Sequence, residues 1–269
     1  MGELDEAAVE EGLGDSPDEM MALLADLTAA TDPVLRELAR RLAGRLFLEV
    51  SRRGPNKPRG IGKMVEQPYR PDGGDLDIDA SLDAIVEGRR GGVIDAERLR
   101  VRGWTRPGTA LCLAVDRSGS MGGKPLATSA VAAAAVAWRA PSDYSVLAFG
   151  KDVVVAKSQD VDKPSDRVVD DVLALRGFGT TDVAGALTVA REQLARSRAG
   201  RKVAILLSDC RATVEGDPVA AAAALEELLI VAPEGDSEEA EAFAQRVGAK
   251  LVTVSGPSSV ADAIARVLE

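Results

Sequence analysis

The sequence predicts an α/β protein: a doubly wound, mostly parallel six-stranded sheet with one antiparallel edge strand, preceded by a helical N-terminal region. Three observations predict it. From Gly108 onward, short apolar runs alternate with helical segments, the pattern of a parallel sheet covered on both faces. Two of the runs are separated only by Gly150-Lys151-Asp152, too short for a crossover, so the second run returns as an antiparallel edge. Before residue 52, leucines recur at three- and four-residue spacing, as on one face of a helix.

The expected strands are Leu111–Val115, Tyr144–Phe149, Val153–Ala156, Val203–Leu207, Leu228–Val231 and Leu251–Val254. Helices are expected near 124–139, 165–175, 183–197, 217–227, 237–248 and 258–268. Together they make a Rossmann-like domain over 106–269. Residues 1–19 carry many acids and no base, and read as an acidic flexible tail. Residues 20–105 read as the helical N-terminal region. Leu23, Leu24 and Leu27, then Val34, Leu35, Leu38, Leu42 and Leu46, mark two helices, the second starting at Thr31-Asp32-Pro33. Within this region 51–75 is a basic Gly/Pro-rich linker holding Arg52, Arg53, Lys57, Arg59 and Lys63. It is either a solvated connection or a docking surface for an acidic partner, in which case Arg52, Arg53 and Lys57 are the contacts. Residues 76–88 read as a short helix and 97–106 as extended.

Composition narrows the chemistry. A net charge of −10 argues against general nucleic-acid or membrane-surface binding. No apolar run has the length of a membrane span, and the opening MGELDEAAVE lacks a signal-peptide layout, so a cytoplasmic location is expected. The absence of histidine removes the commonest general base and most zinc sites. The two cysteines, Cys112 and Cys210, are expected on buried strands as small apolar residues.

The chemistry that remains gathers at strand ends. Parallel sheets bind ligands beyond the carboxyl ends of their strands. The run Leu111–Gly123, LCLAVDRSGSMGG, ends a buried strand in Asp116-Arg117-Ser118-Gly119-Ser120, a D-x-S-x-S pattern. A turning loop of that spacing can aim one carboxylate and two hydroxyls at one centre. Val203–Leu207 runs into Ser208-Asp209, and Arg176–Leu187, RGFGTTDVAGAL, carries Thr180, Thr181 and Asp182 before a helix. Hard oxygens of this kind suit Mg²⁺. Taken alone, D-x-S-x-S is equally a capped turn, and Asp182 reads best as the cap of the helix from Val183.

The set of D-x-S-x-S, a glycine-rich T-D loop and S-D after a buried strand resembles the von Willebrand factor A-type (VWA) domain with its metal-ion-dependent adhesion site (MIDAS). The resemblance covers about residues 108–269. It implies that Asp116, Ser118, Ser120, Thr181 and Asp209 hold the metal, Mg²⁺ or alternatively Mn²⁺, some of them through water. Thr181 is chosen over Thr180 because it stands five residues before the small helical residue Ala186. The segments YRPDGGDLDIDASLDAI, RVRGWTRPGTALCLAVDRSGSMGG and LLSDCRAT further resemble bacterial intracellular VWA proteins of the magnesium-chelatase D-subunit-like and CoxE-like kind. That resemblance implies an AAA+ ATPase partner of the MoxR type. It also implies a role in protein remodelling or metalloenzyme maturation.

In such a domain an ion held mainly by hydroxyls takes an acidic residue of a partner protein. The function expected is therefore non-catalytic, metal-dependent protein binding. The alternative is an accessory subunit of a magnesium- or cobalt-chelatase-like complex, although the chain has no room for the AAA+-like module of the chelatase D subunit. Rival chemistries fit less well. Ser118–Lys124, SGSMGGK, has serine where a phosphate loop needs glycine, and Pro125 where it needs a hydroxyl. An aspartyl phosphotransferase would need a second acid beside Asp116, where Arg117-Ser118 stands.

Overall fold

The computed structural model describes residues 6–30, 32–52, 63–68, 75–91, 98–105, 108–118, 123–177 and 179–268. The chain divides into two compact units, one made of residues 1–57 with 109–269 and the other of 58–108.

The first unit opens with helices α1 (Glu6–Asp15), α2 (Pro17–Leu27) and α3 (Pro33–Ser51). Asp32 caps α3 as the sequence predicts, its Oδ1 accepting from the amides of Val34 and Leu35 at 2.8 and 3.3 Å. The expected acidic tail differs from what the structure shows. Its EAAVEEGL run is rich in good helix formers, and Val9 is buried while Leu13, one turn on, packs against the same cluster.

The second unit contains β1 (Lys63–Pro68), β2 (Asp75–Leu76), α4 (Ile78–Gly91) and β3 (Arg100–Thr105). The strands form a small antiparallel sheet in the order β1-β3-β2. The strands differ from the helical region expected over 20–105, and β1 lies inside the linker expected over 51–75, whose residues 53–62 and 69–74 lie outside the described residues. Lys63–Pro68 is a strand paired residue for residue with β3, from Lys63 opposite Thr105 to Pro68 opposite Arg100. Of the charges that suggested a linker, Lys63 belongs to this strand and Arg52 follows α3, while Arg53, Lys57 and Arg59 lie outside the described residues. Asp77 caps α4 by accepting from the Ala80 amide at 3.2 Å. Ser81 ties the helix to β3, accepting from the Arg100 amide at 2.8 Å.

The chain then builds the main sheet through β4 (Thr109–Asp116), α5 (Gly123–Arg139), β5 (Tyr144–Phe149), β6 (Val153–Lys157), α6 (Ser165–Leu173) and α7 (Val183–Ala195). It continues with β7 (Arg201–Leu207), α8 (Pro218–Ala223), β8 (Glu227–Pro233), α9 (Glu238–Val247), β9 (Lys250–Val254) and α10 (Pro257–Leu268). Strand order is β6-β5-β4-β7-β8-β9, with every pair parallel except β5 with β6. This is the Rossmann-like, doubly wound sheet with one antiparallel edge that the alternation predicts. Helix α8 is shorter than expected because the chain is already extended in β8 by Glu227.

Each central strand feeds two cores by alternation. Leu111, Leu113 and Val115 of β4 join the cluster containing α5, α10 and the N-terminal helices, while Ala110, Cys112 and Ala114 join that of α7 and α9. Helix α5 is buried at every residue from Leu126 to Ala137. A helix apolar on all sides must be covered on all sides, and α2, α3, α6 and α10 all pack against it. Among the described residues no helix is long and apolar enough to cross a membrane.

At the amino-terminal end of the sheet, Arg201 grips Glu227 with two bonds of 2.8 Å and donates to the Leu268 carbonyl at 2.7 Å. Its guanidinium holds the Glu227 carboxyl below the usual glutamate value. The stabilisation is therefore present above the unfolded value of about 4.3 and is lost as pH falls through the lower folded one.

Two measurements check this account. Ala133→Leu forces a larger side chain into the closed environment of α5 and should cost about 1–3 kcal/mol in urea unfolding. Glu227→Gln should be less stable than the parent at neutral pH, with the gap closing below about pH 4; a gap that stays constant with pH would contradict the assigned role of the carboxylate.

Candidate metal centre

Strand register brings the centre together. Asp116, the last residue of β4, stands opposite Phe149, and Val115 stands opposite Leu207. Continuing that register puts Ser208 at the level of Asp116 and Asp209 one position beyond. The Arg117 amide extends the ladder to the Phe149 carbonyl at 2.8 Å, and the Ser208 amide does the same to Val231 at 3.1 Å.

Both oxygens of Asp116 are held. Oδ1 accepts from the Ser118 amide at 2.8 Å, which turns the chain, and Oδ2 accepts from the Ser208 hydroxyl at 2.5 Å. The Ser208 hydroxyl in turn accepts from the Cys210 amide at 2.9 Å. Cys210 has a φ of 63°, and is the one non-glycine residue with positive φ among the described residues. An L-residue in that region costs about 1–2 kcal/mol, and the bond to Ser208 helps hold it there. The turn leaves Asp209 on the rim, its Oδ1 accepting from the Arg211 amide at 3.0 Å.

Burial pushes the Asp116 carboxyl above its ordinary value, and the Asp209 charge adds to the shift, while bonds from Ser208 and Ser118 oppose it. Burial likewise pushes the thiols of Cys112 and Cys210 up to about 12, which keeps both neutral at physiological pH. Cys112 lies on a buried strand as expected; Cys210 does not, sitting in the turn past β7. Cys112 faces Ala204, six positions short of Cys210, far outside disulfide reach.

Asp116, Ser118 and Asp209 line one cleft of about 340 Å³ at the carboxyl end of the sheet. Lys124 and Pro125 at the start of α5 form one wall, and Ser255 and Gly256 before α10 form another. Thr181 lies outside this lining. It is buried, its amide donates to Thr213 Oγ1 at 2.8 Å, and its carbonyl accepts from the Thr213 amide at 3.0 Å. The neighbouring Asp182 amide donates to the Gly150 carbonyl at 2.8 Å, which stitches this loop to the exit of β5. A Cβ at Gly150 would meet the Thr180 carbonyl at 3.2 Å, a tight contact that favours glycine at this approach. Asp182 caps α7 through the Gly185 amide at 2.8 Å, as read from the sequence.

Ser120 lies outside the described residues, as do Arg53 and Lys57. Arg52 is exposed, with its guanidinium 5.1 Å from the centroid of Trp138, a contact within the fold itself. Sequence reasoning passed over Ser208, Lys124, Ser255 and Gly256. Only Ser208 carried a signal, as the hydroxyl immediately before Asp209 on the neighbouring strand.

The donor chemistry fits a hard divalent cation. Among the described residues no three acidic, histidine or cysteine side chains cluster as a metal site. Two carboxylates, one of them half-buried beside the other's charge, share the cleft with serine hydroxyls. Each Asp116 oxygen receives one hydrogen bond and retains acceptor capacity. Asp116, Ser118 and Asp209 could hold an ion there, leaving part of its shell to other oxygens.

The family model for VWA domain containing CoxE-like protein matches residues 51–257. The chain belongs to this CoxE-like VWA family. The match takes in the small second unit as well as the sheet. No curated protein matches the chain. Among solved structures it is similar to proximal thread matrix protein 1 of the mussel byssus, at 14% identity over 60% of this chain and 47% of that one, with a TM-score of 0.46. It is also similar to a von Willebrand factor type A protein from Catenulispora acidiphila, at 15% identity over 63% and 43% of the two chains, TM-score 0.46. A third is BatB from Bacteroides thetaiotaomicron, at 16% identity over 59% and 96%, TM-score 0.43. The CoxE-like chain thus spans about half the length of the first two.

Ser208→Ala would strip Asp116 Oδ2 and the Cys210 amide of their shared partner. Its expected cost, measured by denaturant unfolding with a chelator present, is about 1–3 kcal/mol.

Proposed function

We propose that this CoxE-like chain is a non-catalytic protein that binds an acidic residue of a partner protein through a bound divalent cation. The observation that carries the reading is the convergence of Asp116, Ser118 and Asp209 in one open cleft at the exits of adjacent strands β4 and β7. Mg²⁺ is the proposed ion, with Mn²⁺ as the alternative. Ser120, between Ser118 and α5, and Thr181, on the adjoining loop, are the proposed further ligands of the MIDAS. When bound, the ion supplies a positive charge with coordination left for a carboxylate from outside. Such a charge-assisted contact gives affinity, and the cleft walls give selectivity.

The proposed partner is an AAA+ ATPase of the MoxR type, acting with this protein in remodelling or metalloenzyme maturation in the cytoplasm. Membership of the CoxE-like family and the acidic balance of the chain support a protein partner over nucleic acid or membrane. The absence of histidine from the chain and the neutral state of both thiols favour a binding over a catalytic reading.

Titration calorimetry with Mg²⁺ and Mn²⁺ tests the metal step. The wild type should bind one ion and Asp116→Ala none. Association with a MoxR-type ATPase should disappear both in Asp116→Ala and on chelation. Partner binding that survives chelation would refute the bridge and move the search to the basic segment after α3.

A further inference from the structure

Helix α2 holds both walls of the cleft. At one end Asp26 Oδ1 accepts from the Gly123 amide at 2.6 Å. Gly123 is the first residue of α5, with φ of 52°, and stands three residues after Ser120 in the sequence. At the other end Asp18 Oδ1 accepts from the Ser258 amide at 2.8 Å, at the start of α10. The same carboxylate lies so close to Gly256 that a side chain there would meet it at 2.5 Å. Lys124 and Gly256, which line opposite walls, therefore adjoin the two points that α2 grips.

The two carboxylates are eight residues apart, about 12 Å along a helix at 1.5 Å per residue. Met21, Leu24 and Ala25 between them are buried, and α2 packs against both α5 and α10. The spacing of the two helix starts is thus fixed by a rigid third body. Each grip satisfies an amide of a helix first turn and places negative charge at its positive end. A change in cleft width must break one of these bonds or carry α2 along.

We propose that α2 is a clamp across the cleft, with Asp18 and Asp26 as positioning residues, and that docking of α2 and binding of the cation are linked. The proposal rests on the cation reading above. It makes the N-terminal helices the place where a partner could change the affinity of the cleft, because linkage is reciprocal.

The test compares two double variants of the full chain by Mg²⁺ calorimetry. Asp18→Ala with Asp26→Ala removes both charge and hydrogen bonds. Asp18→Asn with Asp26→Asn removes the charge and keeps an acceptor at each position. The alanine pair should bind Mg²⁺ at least about fivefold more weakly than wild type, and the asparagine pair within about twofold, too small a change for a coupling of that size. Equal losses in both pairs would reduce the effect to charge and overturn the clamp, as would no loss in either. Hydrogen exchange on the wild type keeps the test independent of variant folding: Mg²⁺ should slow exchange of the α2 amides, and unchanged exchange with the ion bound would overturn the linkage. A wild type that takes up no Mg²⁺ refutes the metal reading and removes the basis of the linkage with it.

Discussion

Close packing around α5 is the constraint on which the rest depends. From Thr128 to Ala137 this helix carries nothing larger than valine, and every residue in that span is buried. Small side chains let the helix lie close to the sheet on one side, and they give it no means of covering its other side. Helices α2 and α3 supply that cover. The polar groups of the first turns stay satisfied because Thr128 and Ser129 bond back to the carbonyls of Lys124 and Pro125 at 2.8 Å. At the far end Arg139 donates to the Ala261 carbonyl at 3.0 Å, which fastens α5 to α10. Helix α5 begins three residues after Ser120 in the sequence, and Lys124 and Pro125 of its first turn line the cleft. The N-terminal helices are part of the scaffold of the cleft rather than an appendage to it.

The second layer of organisation is at the strand exits. A carboxylate at the end of a buried strand is costly unless its oxygens are occupied. Asp116 is occupied by one backbone and one side-chain donor, and the Ser208 hydroxyl links it to the turn at Cys210. This chain of bonds joins β4 to β7 beyond the last paired residues. It also holds Cys210 in a backbone conformation that a β-carbon disfavours. Local strain and the hydrogen-bond network occupy the same place, and both keep Asp209 on the rim next to Asp116.

Much of this was legible in the sequence because it repeats a short-range rule. The alternation of runs marks all six strands, and Gly150-Lys151-Asp152 marks the hairpin edge. Asp32 and Asp182 are recognisable as caps from the residues that follow them. What escaped depends on partners far along the chain. Helix α1 forms within an acidic stretch because Val9 and Leu13 reach a core that only the folded chain provides. Strand β1 hides in a Gly/Pro-rich, basic segment because its pairing with β3 spans residues that look unrelated in sequence. Ser208 was visible beside Asp209, but its importance comes from register with Asp116, which depends on how β4 and β7 align. The docking of α2 had one overlooked signal: α5 is apolar on every face, and a helix of that kind demands a further layer.

Charge placement supplies the last step. The residue best placed in sequence to neutralise Asp209 is Arg211. Its backbone amide does meet the Asp209 carboxylate, but its guanidinium turns to Asp236 and lies 3.2 Å from Glu239. Those two acids draw the Arg211 guanidinium to the start of α9, so Asp209 shares its charge with Asp236 and Glu239. Helix α2 adds Asp18 and Asp26 behind the cleft walls. The fold thus gathers negative charge around a polar cleft while directing a nearby guanidinium elsewhere. On the proposed reading, a small dication restores the balance. It can also leave room for one more carboxylate, because the Asp116–Asp209 pair supplies only two and the other proposed ligands are hydroxyls. A lysine or arginine in the same place would neutralise the pair equally well, but would offer no coordination site to a partner.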